Sequence, residues 1–548
     1  MTRGWATPGT AAWLVWLVLA TGCGDGTPPV LGEVVLTPPS DRAPLAAQLS
    51  VSTDEPAVVV LTVDDGARQW SVTPSAEPRI DHSVLVLGLR PDTRHQLVVT
   101  ATDEAGNEST SVQATIATDP LPDNFPPFEV TVSDSERSEP GVTIFALMRW
   151  PDGGQATSEG IVVAVDASGE VVWYHESGHY ITDLFRLRNG HFVYIGSVNG
   201  VRSVIVELDL LGNIVAQWHP HALAAAGLEN STFVDTDTFH HDVVELPSGN
   251  LLAVSSEVRS YDDFPTSTAD PNAPTTTREL AGDTIVEFER DGAIVRQWKL
   301  LDLFDPYRIG YGSLGGGYWR ATYEQLVEEP DLADWAHTNA LVYDAQDDAI
   351  VASLRYQDAV VKIDAQTGEI QWILGPPGGW KAPWNERLLA PQGELEWAYH
   401  GHGAKVTPQR TILQFDNGNN RATAFDEPMP AVDSYSRAVE MAVDEQAMTV
   451  SQVWEYGPVD ERFFSSFLSD ADWMPTTGNV LITDGARTRA IANETSGETT
   501  THNWVRIVEV TRTVPSEKVF ELVVDDEPPN GWRVYRAERI PGLYPDAD

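Results

Sequence analysis

Short alternating runs of apolar and polar residues, broken by tight turns, occupy most of the chain. Four segments share one form: "GIVVAVDASGEVVWYHE", "SVIVELDLLGNIVAQWHP", "DTIVEFERDGAIVRQWKL" and "DAVVKIDAQTGEIQWILG". Each predicts a strand, a turn with Asp and usually Gly, and a second strand closed by Trp173, Trp218, Trp298 or Trp372. Two looser copies end at Trp454 and at Phe520, which stands in the tryptophan position. A further hairpin precedes five of the six, as in "TDLFRLRNGHFVYIGS", "HDVVELPSGNLLAVSS" and "HTNALVYDAQDDAIVASLR". Four antiparallel strands repeated six times predict an all-β chain built as a six-bladed β-propeller, with "TIFALMRWPDGGQATSEG" opening the first repeat. The recurring aromatic is expected to pack neighbouring blades together. "TADPNAPTTTREL" and "GYGSLGGGYWRATYEQLVEEPDLAD" are expected as long loops, the second mobile and near the channel mouth.

Ahead of the repeats, residues 31–119 alternate with a shorter period of turns, and "RPDTRHQLVVTATDEAGN" resembles a fibronectin type III or Ig-like β-sandwich. Nothing polar converges in it, so it is read as a spacer or docking module. The proline-rich "ATDPLPDNFPPFEV" is a linker, with the boundary near Pro120 and the propeller over 125–548. Residues 1–23 carry Arg3, an apolar run from Ala11 to Ala20 and small residues before Cys23. That is the pattern of a signal peptide, and "LATGC" resembles a lipobox in which Cys23 is lipidated; the other reading is an ordinary cleaved signal. Either way an exported protein is expected, periplasmic or on the outer surface, touching the membrane only through a lipid at Cys23. Cys23 is the single cysteine, so no internal disulfide forms.

The charge narrows the possible partners. With 35 Lys and Arg against 81 Asp and Glu, the chain carries a formal charge of −46. Such a surface repels phosphate backbones and anionic lipids, which speaks against nucleic-acid binding. An anionic substrate would need local positive charge.

Polar residues at the strand ends supply it. In a propeller the innermost strands line a channel, so the residues opening the second, third and fourth of the preceding hairpins, His241, His337 and His402, are expected at one mouth. The next strand runs back, returning Arg355 to that mouth, with Glu257 and the Asp416–Asn417 pair in equivalent positions. Asn339 faces the same way as His337, because strand side chains alternate. Three chemistries use such a set. Three histidines can bind a metal, although Arg355 would repel a dication. Acid–base hydrolysis would use paired carboxylates, which are not evident here. In the third, a neutral histidine takes a group from an anionic ester while cations and amides hold its oxygens. That chemistry suits a singly charged sulfate ester.

The stretches "HDVVELPSGN", "DWAHTNALVYDAQDDAIVASLRYQDAVVKIDAQTGEIQWILGPPGGW", "HGHGAKVTPQRTILQFDNGNNRA" and "YRAERIPGLYP" resemble the bacterial aryl-sulfate sulfotransferases. The resemblance runs over roughly residues 125–548 and leaves the N-terminal sandwich without a counterpart. It implies a six-bladed propeller that moves a sulfuryl group from a phenolic sulfate donor to a phenol acceptor by a ping-pong route. It implies no cofactor, in keeping with a chain that has no phosphate-binding glycine loop. It implies that His402 becomes transiently sulfated, that His241 binds sulfate or transfers the proton, and that His337, Asn339 and Arg355 hold the sulfuryl oxygens. Asn417 joins them as a substrate-binding candidate. His400 and His240 are neighbouring rivals that the hairpin register ranks below His402 and His241. A three-histidine metal-dependent hydrolase or oxygenase and a non-catalytic binding propeller remain the alternatives.

Overall fold

The computed structural model describes residues 26–544 except 112, 155–156, 158, 199–200, 221–227, 229–230, 324–331 and 493–498. The segment read as a signal peptide, with Cys23, lies outside the described residues, as does part of the glycine-rich loop. Among the described residues no helix is long and apolar enough to cross a membrane.

Strands between Val35 and Ala117 form one seven-stranded antiparallel assembly. Its long strand Ala47–Asp64 alternates buried and exposed positions, as a sandwich with one wet face requires. Six sheets of four or five strands follow, antiparallel except for one short parallel strand added to each of three of them. In their central strands the alternation disappears: Gly160–Val165 and Ala349–Leu354 are buried at every position. These strands are covered on both faces and read as continuous apolar runs, whereas outer strands such as Ile214–His219 and Ile294–Lys299 stay partly exposed.

The six aromatic positions fall on a late strand of every sheet, and all are at most 6% exposed. The indole of Trp173 donates to the Leu210 carbonyl (2.9 Å), and that of Trp218 to the Arg290 carbonyl (2.9 Å). Trp372 donates to the Glu445 carboxylate (2.8 Å). In each case the acceptor belongs to a turn of the following sheet, so the aromatic both fills the gap between sheets and ties them.

The ring of sheets is closed by long-range pairing. The first sheet takes its innermost strand, Trp532–Ile540, from the chain's end, and the sixth takes its outermost, Glu129–Ser133, from before the repeats. The innermost strands touch: Trp532–Ile540 meets Ile181–Arg186 and Asp470–Trp473, while His402–Val406 meets Thr338–Asp344 and Asp470–Trp473. The arrangement is propeller-like. One expected loop is different: its last five residues, "TTREL", are strand, because Leu251–Phe264 and Thr276–Phe288 pair as one long hairpin. The sandwich docks on the first sheet through Arg68 and Arg90, both on Asp166 (2.8 and 3.0 Å), and through Tyr544, whose hydroxyl accepts the Leu87 N–H (2.9 Å).

Candidate active site

The inner strands are where the regular pattern breaks. Pairing begins two residues after His241 (Val243↔Ala253), one after His337 (Thr338↔Leu354), and at His402 itself (His402↔Phe415). The three histidines therefore do not share one register, contrary to the superposed hairpins. The strands that follow His337 and His402 are also bulged, between Thr338 and Ala340 and between His402 and Lys405. His241 and His337 also adopt positive φ (62° and 54°), a conformation that costs a non-glycine residue about 1–3 kcal/mol and is retained only where the surroundings enforce it. After His402 the chain turns through Gly403 at φ 63°, where a Cβ would overlap Asp470 Oδ1.

The rings of His241 and His337 lie edge to face, centroids 4.5 Å apart. His402 packs on Tyr535 (5.0 Å), which also touches His241 (6.1 Å). Tyr535 comes from the closing strand, and its hydroxyl donates to the Asn339 carbonyl (3.2 Å). The Tyr318 ring, from the glycine-rich loop, stands 4.7 Å from His337 and 4.9 Å from His241, with its hydroxyl 3.3 Å from His241 Nδ1.

Each histidine has a different group behind it. His337 Nδ1–H donates to Asp334 Oδ2 (2.6 Å), a buried carboxylate that fixes the tautomer and leaves Nε2 for other partners. His241 Nδ1 meets His240 Nδ1 (2.7 Å), so one of the two carries the shared proton. His402 Nδ1 is buried with no hydrogen-bond partner. Burial pushes both His241 and His402 well below the ordinary imidazole value. Neighbouring His337 and His240 add to the shift at His241, and Arg536 and Arg355 at His402. Both rings are neutral at neutral pH.

Arg355 donates to the Ser466 carbonyl (2.8 Å), its guanidinium lies over Tyr356 (4.9 Å), and its Nε is buried without a partner. Asn339 donates its amide to the Gly401 carbonyl (2.8 Å), bracing the backbone before His402. Asn417 donates to the Ser465 and Leu468 carbonyls (2.7 and 3.2 Å) and so holds the loop that receives Arg355. In both residues Oδ1 is the atom left without a partner, and it is an acceptor. Glu257 and Asp416 lie away from this cluster. Glu257 is bound by Arg259 (2.6 Å) and Lys299 (2.9 Å) in the long hairpin. Asp416 is bound by Arg437 (2.9 Å) and Arg421 (3.1 Å). His400 is also committed, with Nε2 on the Tyr311 carbonyl (2.9 Å) and Nδ1 3.3 Å from Asp358.

Sequence reasoning missed Asp334, Asp283, Tyr535 and Arg536. Arg536 sits against Asp183 (2.9 Å) and Asp242 (3.3 Å) among the inner strands. The available signals were a carboxylate three residues before His337 and a charged interruption in the closing strand "WRVYRAERI". Among the described residues no group of three or more His, Cys, Asp or Glu is arranged to hold a metal ion.

The sequence is similar to those of known proteins. The chain is 28% identical over 336 residues to the arylsulfate sulfotransferase AssT of Escherichia coli O6:H1, covering 54% of this chain and 52% of that protein. It is 31% identical over 210 residues to AssT of Lelliottia amnigena, covering 32% and 34%. The matched regions thus span about half and a third of those relatives. The solved periplasmic gluconolactonase PpgL of Pseudomonas aeruginosa aligns over 72% of this chain and 99% of its own with 13% identity and a TM-score of 0.32. The N-terminal sandwich, expected to lack a counterpart, matches the arylsulfotransferase Ig-like domain over residues 34–119. The arylsulfotransferase (ASST) profile matches residues 129–536, three quarters of the chain, so this chain belongs to the arylsulfotransferase family.

Proposed function

We propose that the chain is an aryl-sulfate sulfotransferase that moves a sulfuryl group from a phenolic sulfate ester to a phenol through a sulfohistidine at His402. The observation that carries this reading is His402 itself: a buried, neutral imidazole with an uncommitted nitrogen, beside two other histidines and a guanidinium. In the first half-reaction a nitrogen of His402 bonds to sulfur, the aryl O–S bond breaks, and the phenol oxygen leaves with the electron pair. Arg355 and His337 face the sulfuryl oxygens, whose charge a fixed, largely dry site stabilises better than water does. His241 supplies the proton to the leaving oxygen. In the second half-reaction an acceptor phenol gives its proton to His241, and its oxygen takes the sulfuryl group from His402. The scheme is ping-pong and uses no nucleotide donor.

The commitments of the side chains weigh against the three-histidine metal site. His241 Nδ1 is held by His240, His337 Nδ1 by Asp334, and a guanidinium occupies the same cluster. We further propose export, with a lipid on Cys23 as the only membrane contact; the mass of the N-terminal peptide of the purified protein tests this. The activity is tested with p-nitrophenyl sulfate and metal-stripped protein, with and without phenol, beside His402→Ala. Phenol-dependent nitrophenolate release that disappears in the variant supports transfer through His402. Release that requires added metal and survives the substitution overturns it.

A further inference from the structure

We propose that Asp283 is the proton store of the site, connected to His241 through His240. The inference rests on the sulfuryl-transfer reading above and adds where the proton resides between the two half-reactions.

The connection is a chain of contacts between 2.7 and 3.5 Å. His241 Nδ1 is 2.7 Å from His240 Nδ1. His240 Nε2 is 3.0 Å from the Ser255 carbonyl and 3.5 Å from Asp283 Oδ1. Asp283 Oδ1 is buried without a hydrogen-bond partner, while Oδ2 accepts both the N–H and the hydroxyl of Thr338 (2.7 Å each). His240 is 4% exposed, Asp283 is fully buried, and Trp319 closes the relay with its ring 4.9 Å from that of His240. The proton's route therefore runs through side chains.

One proton arrangement fits these contacts as they stand, and a second is reached when His240 Nε2 exchanges the Ser255 carbonyl for Asp283. In one, His240 Nε2–H donates to Ser255 and His241 Nδ1–H donates to His240, leaving a lone pair on His241 Nε2. In the other, His240 Nε2 gives up the Ser255 carbonyl and accepts a proton-bearing Asp283 Oδ1, His240 Nδ1–H donates to His241, and His241 Nε2 carries hydrogen. Passing from the second to the first moves three protons by one position each and leaves both rings neutral. When the aryl O–S bond breaks, the departing phenolate takes the His241 Nε2 proton and Asp283 becomes the carboxylate. When the acceptor phenol is sulfated, its hydroxyl proton returns to His241 Nε2 and Asp283 is protonated again. No other reactant is needed.

The surroundings favour a carboxyl group as the resting place of the proton. Burial lowers His240 to about 3 and His241 well below the usual value, so neither ring holds a second proton. Burial, and then the charge of Asp334, push Asp283 up to about 8. The cationic Arg355 and the rings of His337 and His402 act on His241 from the neighbouring strands in the same direction.

The test compares two esters on the full-length protein. Nitrophenolate leaves stably without a proton near neutral pH, whereas unsubstituted phenol, which like tyrosine ionises near 10, needs one. In pre-steady-state aryl release, Asp283→Asn is expected to slow phenyl sulfate by about 100-fold or more and p-nitrophenyl sulfate by less than about 10-fold, the difference being the share of general acid catalysis. His240→Phe, which keeps an aromatic ring against Trp319 but breaks the relay, is expected to show the same selectivity and serves if the first variant does not fold. Equal losses on both esters, or none, overturn the relay while leaving sulfuryl transfer intact. A wild-type protein inactive on both esters overturns the transfer reading and the relay with it.

Discussion

The outer and inner strands of the six sheets answer to different demands. On the outer strands one buried aromatic recurs in every sheet, and three indoles reach the next sheet's turn in the same way. On the inner strands hardly anything repeats: His241, His337 and His402 start at three different registers, two of them at positive φ. Repetition belongs to packing, where every gap between sheets has the same shape. Irregularity belongs to the site, where each side chain has a different neighbour and a different task.

Substitutions can break that contrast, and the largest effect is expected at the inner strands. His402→Ala should lower aryl-sulfate turnover by about 10³-fold or more with little change in melting temperature, since it removes the nucleophile and not a packing element. An intact rate in this variant would move the nucleophile elsewhere. At the outer strands, Trp218→Ala should cost about 3–5 kcal/mol of stability, read by chemical denaturation, while the surviving folded protein keeps its rate within about threefold. A large fall in rate without loss of stability would mean that the aromatic ring acts in the site.

Asp334→Asn sharpens the comparison between the histidines. It keeps the shape behind His337 but exchanges an acceptor for a group that can present N–H, so transfer should fall by about 10²-fold, through kcat more than KM. A change confined to KM would make Asp334 a structural residue only. The smallest effect is a flat line. His402 and His241 are pushed well below the ordinary value of 6.5, so they stay neutral as pH falls through it. The first half-reaction with p-nitrophenyl sulfate should therefore be level between about pH 5 and 7.5, and a fall centred near 6.5 would show that the rings are solvated. The same shifts act on stability. Histidines with depressed folded values contribute above 6.5, and that contribution is lost as acid brings pH down through the folded value, about 3 for His240. Asp283 acts in the opposite sense: its contribution is present below its ordinary value of 3.8 and is lost as pH rises through about 8.

Much of the fold was legible because its signals are local. A strand, a turn and a Trp within some seventeen residues, as in "GIVVAVDASGEVVWYHE", report the outer half of a sheet without reference to any other part of the chain. The residue types at the inner strand ends were legible for the same reason, so His241, His337, His402 and Arg355 could be named. Their register was not, since a bulge is set by what presses on the strand; beside His402 that is Asp470 against Gly403. Asn339 and Asn417 were found at the right strand ends, but their amides brace backbone at Gly401, Ser465 and Leu468, segments that no spacing rule connects to them.

The sequence by itself determined the repeat, the six aromatic positions, the acidic surface and the set of histidines and arginine available for chemistry. All follow from residue type and short spacing. Only the tertiary structure decided that Trp532–Ile540 closes the first sheet and brings Tyr535 to His402, that Asp334 stands behind His337, and that His240 lies between His241 and Asp283. The contacts of Tyr535 and of Asp283 unite segments far apart in the chain, Tyr535 and Asn339 being 196 residues from each other, and they form because packing the sheets around a common centre forces the inner strands together. The protonation states follow from the same burial, which removes water from the rings and leaves a neutral imidazole cheaper to hold than a charged one.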